Sequence, residues 1–310
     1  MLAFSTCWNA GRHQEGEPMV EEILELGFDT LELSHGMRIT LLPGVEKAYR
    51  EGLYRVAGVH NFIPSPVEVM IDAPDCYEFT SKNRYERDRA LKHTFKSIEF
   101  AASVDAEYIV LHMGSTPLAA LSQELEAMVQ RGRLNSRKFV KKKLDFIKQR
   151  EQLSPLYLNR ARKALELLLP HAEEHRVQLG IESRSHYQDV PSEPEMIQLL
   201  EEFDSPWLGY WHDFGHVQRK ANLSLLNHEQ WLGKVAHRLV GCHLHDVRWP
   251  LRDHRVPLTG HIDYDVLLPQ IRPDAPMVWE LSPTRRKEEI QAALPAWKHK
   301  WAQFHGAAAA

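Results

Sequence analysis

Eight short apolar runs recur along the chain, each followed by a stretch of helical periodicity, and this alternation narrows the folds open to it. The runs span 2–6, 30–33, 56–60, 108–112, 177–182, 208–212, 239–245 and 277–281. Several, such as YIVLH and MVWEL, are apolar without alternation, as strands covered on both faces are. Helical patterns lie near 19–26, 45–52, 85–104, 155–175, 193–203, 228–237, 264–271 and 285–304. Gly27 stands where a helix C-cap belongs. Repeated strand–helix units require parallel strands, because each helix carries the chain back across the sheet. Eight units in 310 residues predict a closed (β/α)8 TIM barrel, a single domain over 1–305 with a short tail at 306–310. No glycine-rich phosphate loop follows the first run, so a nucleotide-binding open sheet has little support.

Charge and cysteine usage narrow the class further. The net charge is −4, from 38 basic and 42 acidic residues, and a field of that sign does not draw in nucleic acid. Cys7, Cys76 and Cys242 are odd in number and form no CxxC pair. That argues against a disulfide framework and for reduced thiols in the cytoplasm. No apolar run approaches the ~18 residues of a membrane span. The opening MLAFSTCWNAGRH lacks the basic and long apolar regions of a signal peptide.

One segment, 117–154, exceeds a minimal barrel. Within it, residues 131–150 carry nine Lys or Arg against one Asp. It follows the fourth run, so it emerges on the catalytic face of the barrel. Leu134, Phe139, Val140, Leu144 and Ile147 predict one apolar helical face with the lysines outward. A solvated insertion without a partner is the plainer reading of such a charge run. The expectation taken forward is a helical lid over the barrel mouth rather than a nucleic-acid-binding arm.

Catalytic groups of such barrels sit at the carboxyl ends of the strands. The fifth run ends in Glu182 (LGIES), the sixth is followed by Asp213 (YWHDFGH), the seventh carries His243 (GCHLHD) and the eighth Glu280 (VWELS). Taken singly, a carboxylate at a strand end is an ordinary residue satisfied by an arginine or by amides. Four consecutive strand ends are a stronger signal. Three carboxylates gathered at low dielectric repel one another, and a divalent cation compensates them. An oxygen-rich set with one imidazole suits Mn, Mg or Co, and zinc also fits. His60 and His112 end the third and fourth runs, and His216 follows Asp213 by three residues. Together they suggest a polar pocket able to orient sugar hydroxyls or hold further metals. Arg184 and His186 fall nearby, where ordinary loop residues are as good a reading.

These residues resemble the xylose-isomerase-like barrel superfamily, which includes sugar epimerases, inosose dehydratases and apurinic/apyrimidinic endonucleases. The resemblance rests on GIES, WHDFGH, HLHD, RVPLTGHIDY and VWEL, and is strongest from 177 to 280. It implies Glu182, Asp213, His243 and Glu280 as ligands of one divalent metal. It implies His60, His112, His216 and Arg255 as substrate contacts, and Glu182 and Glu280 as the proton-transferring pair. The implied activity is isomerisation or epimerisation of a sugar, polyol or sugar phosphate. Epimerisation beside a ketone removes a proton from one face of a carbon and returns one to the other, which two opposed carboxylates can do. The implied partner is this small molecule, with neither nucleic acid nor membrane, and a homo-oligomer is compatible with it. Two alternatives stay open on the same scaffold: an inosose-dehydratase-like lyase and an endonuclease-like zinc phosphodiesterase. For the latter, the closing Asp-x-His element reads Asp253-His254-Arg255, and an arginine cannot ligate a metal.

Overall fold

The computed structural model describes residues 1–69 and 74–306. Among them, eight parallel strands close into a barrel. They are β1 (Leu2–Ser5), β2 (Thr30–Leu33), β3 (Arg55–His60), β4 (Tyr108–Leu111), β5 (Gln178–Glu182), β6 (Leu208–Asp213), β7 (Leu239–Leu244) and β8 (Met277–Trp279). Each pairs with the next, and β8 returns to β1 with Phe4 in register with Trp279. Every predicted run coincides with one of these strands. Of the expected tail, residues 307–310 lie outside the described residues.

The helices are α1 (Gly16–Leu24), α2 (Leu42–Arg50), α3 (Arg84–Ser103), α4 (Ala119–Gln130), α5 (Arg137–His175), α6 (Glu193–Glu202), α7 (Phe214–Asn222), α8 (His228–Val235), α9 (Tyr264–Leu267) and α10 (Lys287–His305). The main core lies between strands and helices, where Ile23, Leu31, Ile109, Leu165, Leu179 and Trp297 are buried. The barrel interior is a separate cluster dominated by Tyr108 and Trp211, whose rings lie 4.4 Å apart. Gly241 makes room for them: a Cβ there would sit 2.5 Å from the Trp211 ring. Large rings opposite small residues fill a barrel of this size without a pore. Among the described residues, no helix is long and apolar enough to cross a membrane.

The insertion differs from the expectation. The sequence reading starts a core helix at Pro155, but α5 runs unbroken from 137 to 175 with Pro155 inside it. An interior proline costs about 3 kcal/mol. The stripe Phe146, Arg150, Ser154, Tyr157, Leu158 and Ala161, buried across that point, outweighs the cost. The helix with α4 forms a hairpin whose apolar contacts are Tyr187, Leu223 and Leu251 beside the barrel mouth. Of the predicted apolar face, Phe139 is buried, whereas Val140 and Leu144 are 44% and 59% exposed. The hairpin therefore buttresses the rim instead of covering it, and α7, which the sequence reading missed, is part of what it leans on.

Candidate metal centre

Parallel strands of a closed barrel bring their carboxyl ends to one rim, with Asp213 in register with His243 and Glu182 with Trp211. Glu182, Asp213, His243 and Glu280 each offer a ligand atom there, all within 4.8 Å of one another and all buried. His243 Nδ1 lies 3.2 Å from Glu182 Oε1, 3.5 Å from Glu280 Oε2 and 3.7 Å from Asp213 Oδ2. Metal–ligand bonds of about 2.1 Å separate neighbouring donors by roughly 3 to 3.5 Å. Spacing, burial and donor chemistry all fit a divalent cation.

The electrostatics agree. Burial alone would raise the carboxyl pKa values, but the facing histidines outweigh it. Glu182 is held well below the usual range, chiefly by His112, and Glu280 likewise by His243. Asp213 is lowered by His216 and His245. Burial would lower His243, yet Glu280 and Glu32 drive it well above its ordinary value. The cluster is an anionic pocket that draws in positive charge.

A second layer aims these ligands. His243 Nε2 lies 3.1 Å from Glu32 Oε1, and Glu32 also accepts a 3.1 Å hydrogen bond from the Tyr108 hydroxyl. Nε2 therefore donates its proton to Glu32, leaving Nδ1 toward the carboxylates. Asp213 caps α7, accepting the His216 N–H at 2.7 Å. His245 Nδ1 accepts the His254 N–H at 2.8 Å, so its Nε2 is the donor to Asp213 Oδ1 at 2.9 Å. Gly215 permits that approach, because a Cβ there would lie 2.0 Å from the His245 ring. His254 holds a φ of +47°, in the left-handed region that non-glycine residues adopt uncommonly. Its ring stacks on His245 at 4.0 Å.

The remaining predicted residues divide. His216 Nδ1 sits 3.2 Å from Glu182 Oε1. His60 donates Nδ1–H to the Asn61 carbonyl at 2.9 Å, leaving Nε2 facing Glu182 Oε2 at 3.6 Å. His112 contacts Glu182 through Nε2 and meets Asp75 through Nδ1 at 2.8 Å. Arg255 stands apart: it pairs with Asp246 in a two-stranded ribbon and is absent from the cavity wall. A cavity of about 320 Å³ opens over the centre, lined among others by His35, His112, Glu182, Arg184, His216 and Glu280. That volume suits a small molecule. Among the described residues, none from 117–154 lines it.

The insertion reaches the site indirectly. Arg150 of α5 is buried and forms a bidentate pair with Glu195 at 2.7 and 2.8 Å. It also donates to the carbonyls of Tyr187 and Asp189, each at 2.6 Å. The loop that follows Glu182 is thereby tied to the long helix. Sequence reasoning missed Glu32, Asp75, His35 and His245. Glu32 alone left a signal, a carboxylate inside the apolar run TLEL.

Residues 20–298 match a family model described as a xylose isomerase-like TIM barrel. Among solved structures, a D-tagatose 3-epimerase-like protein shares 15% identity at a TM-score of 0.69, covering 97% of this chain and 98% of that one. The E. coli 3-keto-D-glucoside 4-epimerase YcjR shares 17% at 0.65, covering 96% and 97%. The IOLI protein with a zinc atom shares 13% at 0.68, covering 98% of each. Likeness at these identities establishes the fold. No curated protein matches the sequence.

Proposed function

This chain belongs to the xylose isomerase-like TIM barrel family, and from that premise we propose that it is a divalent-metal-dependent isomerase or epimerase of a sugar or polyol. The observation that carries the reading is the convergence of Glu182, Asp213, His243 and Glu280 under one cavity. Epimerase neighbours, and one described with zinc, support it. The oxygen-rich donor set favours Mn, Co or Mg, and zinc fits as well. A divalent ion held by those four residues would supply Lewis-acid charge to a substrate carbonyl and its neighbouring hydroxyl.

The chain's own groups account for the proton transfers. Glu182 turns Oε1 to His243 and Oε2 to His112. Glu280 turns Oε2 to His243 and Oε1 to His35, 3.7 Å away. Each carboxylate thus keeps one oxygen outside the shared ligand group, and both line the cavity. One, ionised, can take a proton from one face of a bound carbon while the other, carrying a proton, returns it to the opposite face, so the two exchange protonation states with each turnover. Among the described residues, Arg184 brings the one guanidinium to the cavity wall, and it is paired with Asp75 at 2.6 Å. An uncharged sugar or polyol suits such a wall better than a phosphate.

The test is Glu182→Gln and Glu280→Gln. Glutamine keeps a carbonyl donor but cannot take a proton. Turnover should fall by about 10²- to 10⁴-fold while the ion is retained. Wild-type exchange of the substrate carbon proton with solvent deuterium in either variant would refute the two-base scheme. The phosphodiesterase alternative finds weaker support: His216, His245 and His254 also bring ligand atoms within 4.8 Å of one another, but Asp253 is paired with Arg219 at 2.6 Å, and both His245 nitrogens are committed.

A further inference from the structure

Glu182 has two faces. Oε1 belongs to the ligand group, whereas Oε2 points to His112 and His60, two imidazoles from the neighbouring strand ends. A carboxylate shared between two such donor sets is the usual bridge of a two-ion centre. His60 keeps its Nε2 lone pair toward this spot, so two of the three donors for a second ion are aimed at it.

The third donor is taken. Arg184 places Nη1 2.7 Å from His112 Nε2, and a guanidinium can only donate, so it uses the lone pair a metal would need. The same Nη1 stands 3.9 Å from Glu182 Oε2, and Nη2 is anchored to Asp75 Oδ2 at 2.6 Å. Asp75 also meets His112 Nδ1 at 2.8 Å, which locks ring and guanidinium into one arrangement. Arg184 is 14% exposed and lines the cavity. We infer that Arg184 occupies the place of a second cation, restricting the centre to one ion and presenting a fixed organic cation to the substrate instead.

This rests on the proposed ligand set of Glu182, Asp213, His243 and Glu280. It adds a reason for the ion count that this set alone does not contain. A guanidinium carries one positive charge and no exchangeable ligand site. It can therefore stabilise a developing oxyanion on a sugar but cannot activate a second water. Arg184 is thus a specificity-determining residue as well as an electrostatic one.

The test counts metal. Full-length chain is stripped with a chelator, loaded with excess Co(II), desalted and assayed for cobalt per chain. Wild type should hold one ion, Arg184→Met two, and Arg184→Met combined with His112→Ala one again. Arg184→Lys keeps the charge, should fold as wild type does, and should hold one. Two ions in wild type, or one in a folded Arg184→Met, would overturn the inference and leave the proposed ligand set intact. No ion in wild type would overturn both. Wild type also serves alone: an exchange-coupled Co(II) pair in its spin-resonance spectrum would overturn the inference whatever the variants do.

Discussion

A carboxylate inside the second strand decides which nitrogen of His243 faces the centre. Glu32 is wholly buried and accepts from His243 Nε2, so only Nδ1 can turn to the carboxylates. Removing such a partner typically weakens metal binding by about 10- to 100-fold. Glu32→Ala should show that loss in chelator competition, with Glu32→Gln, which keeps an acceptor, losing less. Unchanged affinity in Glu32→Ala would remove Glu32 from the centre. Glu78 offers a pH-dependent case. Burial, against a hydrogen bond from Ser115, pushes its carboxyl up to about 7. In the unfolded chain a glutamate titrates near about 4.3. The folded form therefore holds a proton that the unfolded form has shed. Its stabilising contribution is full below about pH 4.3 and is lost as pH rises towards 7. At 1.36 kcal/mol per unit, and reduced because the group is only half-buried, the loss is about 2 kcal/mol. Denaturant melts at pH 5 and pH 8 should show wild type losing this much more than Glu78→Gln, and equal losses would contradict it.

At the level of elements, α5 carries two roles along 39 residues. Its second half packs on the barrel, through Leu165, Leu168 and Ala172, as a core helix should. Its first half extends past the rim and holds the loop after Glu182 through Arg150. Breaking a buried ion pair from one side costs about 3–5 kcal/mol, because the other charge stays buried. Arg150→Met should therefore destabilise the chain by about that amount. It should also speed amide hydrogen exchange in residues 183–190, while the lysines of 141–143 should tolerate replacement with little effect. Protection of 183–190 equal to wild type would show that the loop holds itself. The sequence reading placed the charged segment correctly after β4 but misjudged its inward face. Helical periodicity identifies a stripe but does not say whether an arginine within it will find a buried glutamate 45 positions away.

On the scale of the whole molecule, the ligands come from β5 through β8 and their supports from β2, β3 and β4, so an ion would link most of the barrel's circumference. A ligand that binds only the folded state adds about 2.7 kcal/mol at one hundred times its Kd. For a chain of this size that is about 4 °C in Tm. Melting with Mn, Co or Zn against a chelator should show such a shift, and a Tm indifferent to all three would count against the centre. The four proposed ligands and the eight strands were legible because both are local: a strand announces itself by its apolar run, and its last residue lies on the rim by the geometry of any parallel barrel. The deeper parts were not local. Glu32 and His243 are 211 positions apart, Asp75 and Arg184 109, and nothing in the residues between them says that they meet. Pattern and strand order suffice for the architecture and the rim. Which donor aims each ligand, and which lone pair an arginine occupies, was decided only when closure of the barrel brought distant side chains within hydrogen-bond reach.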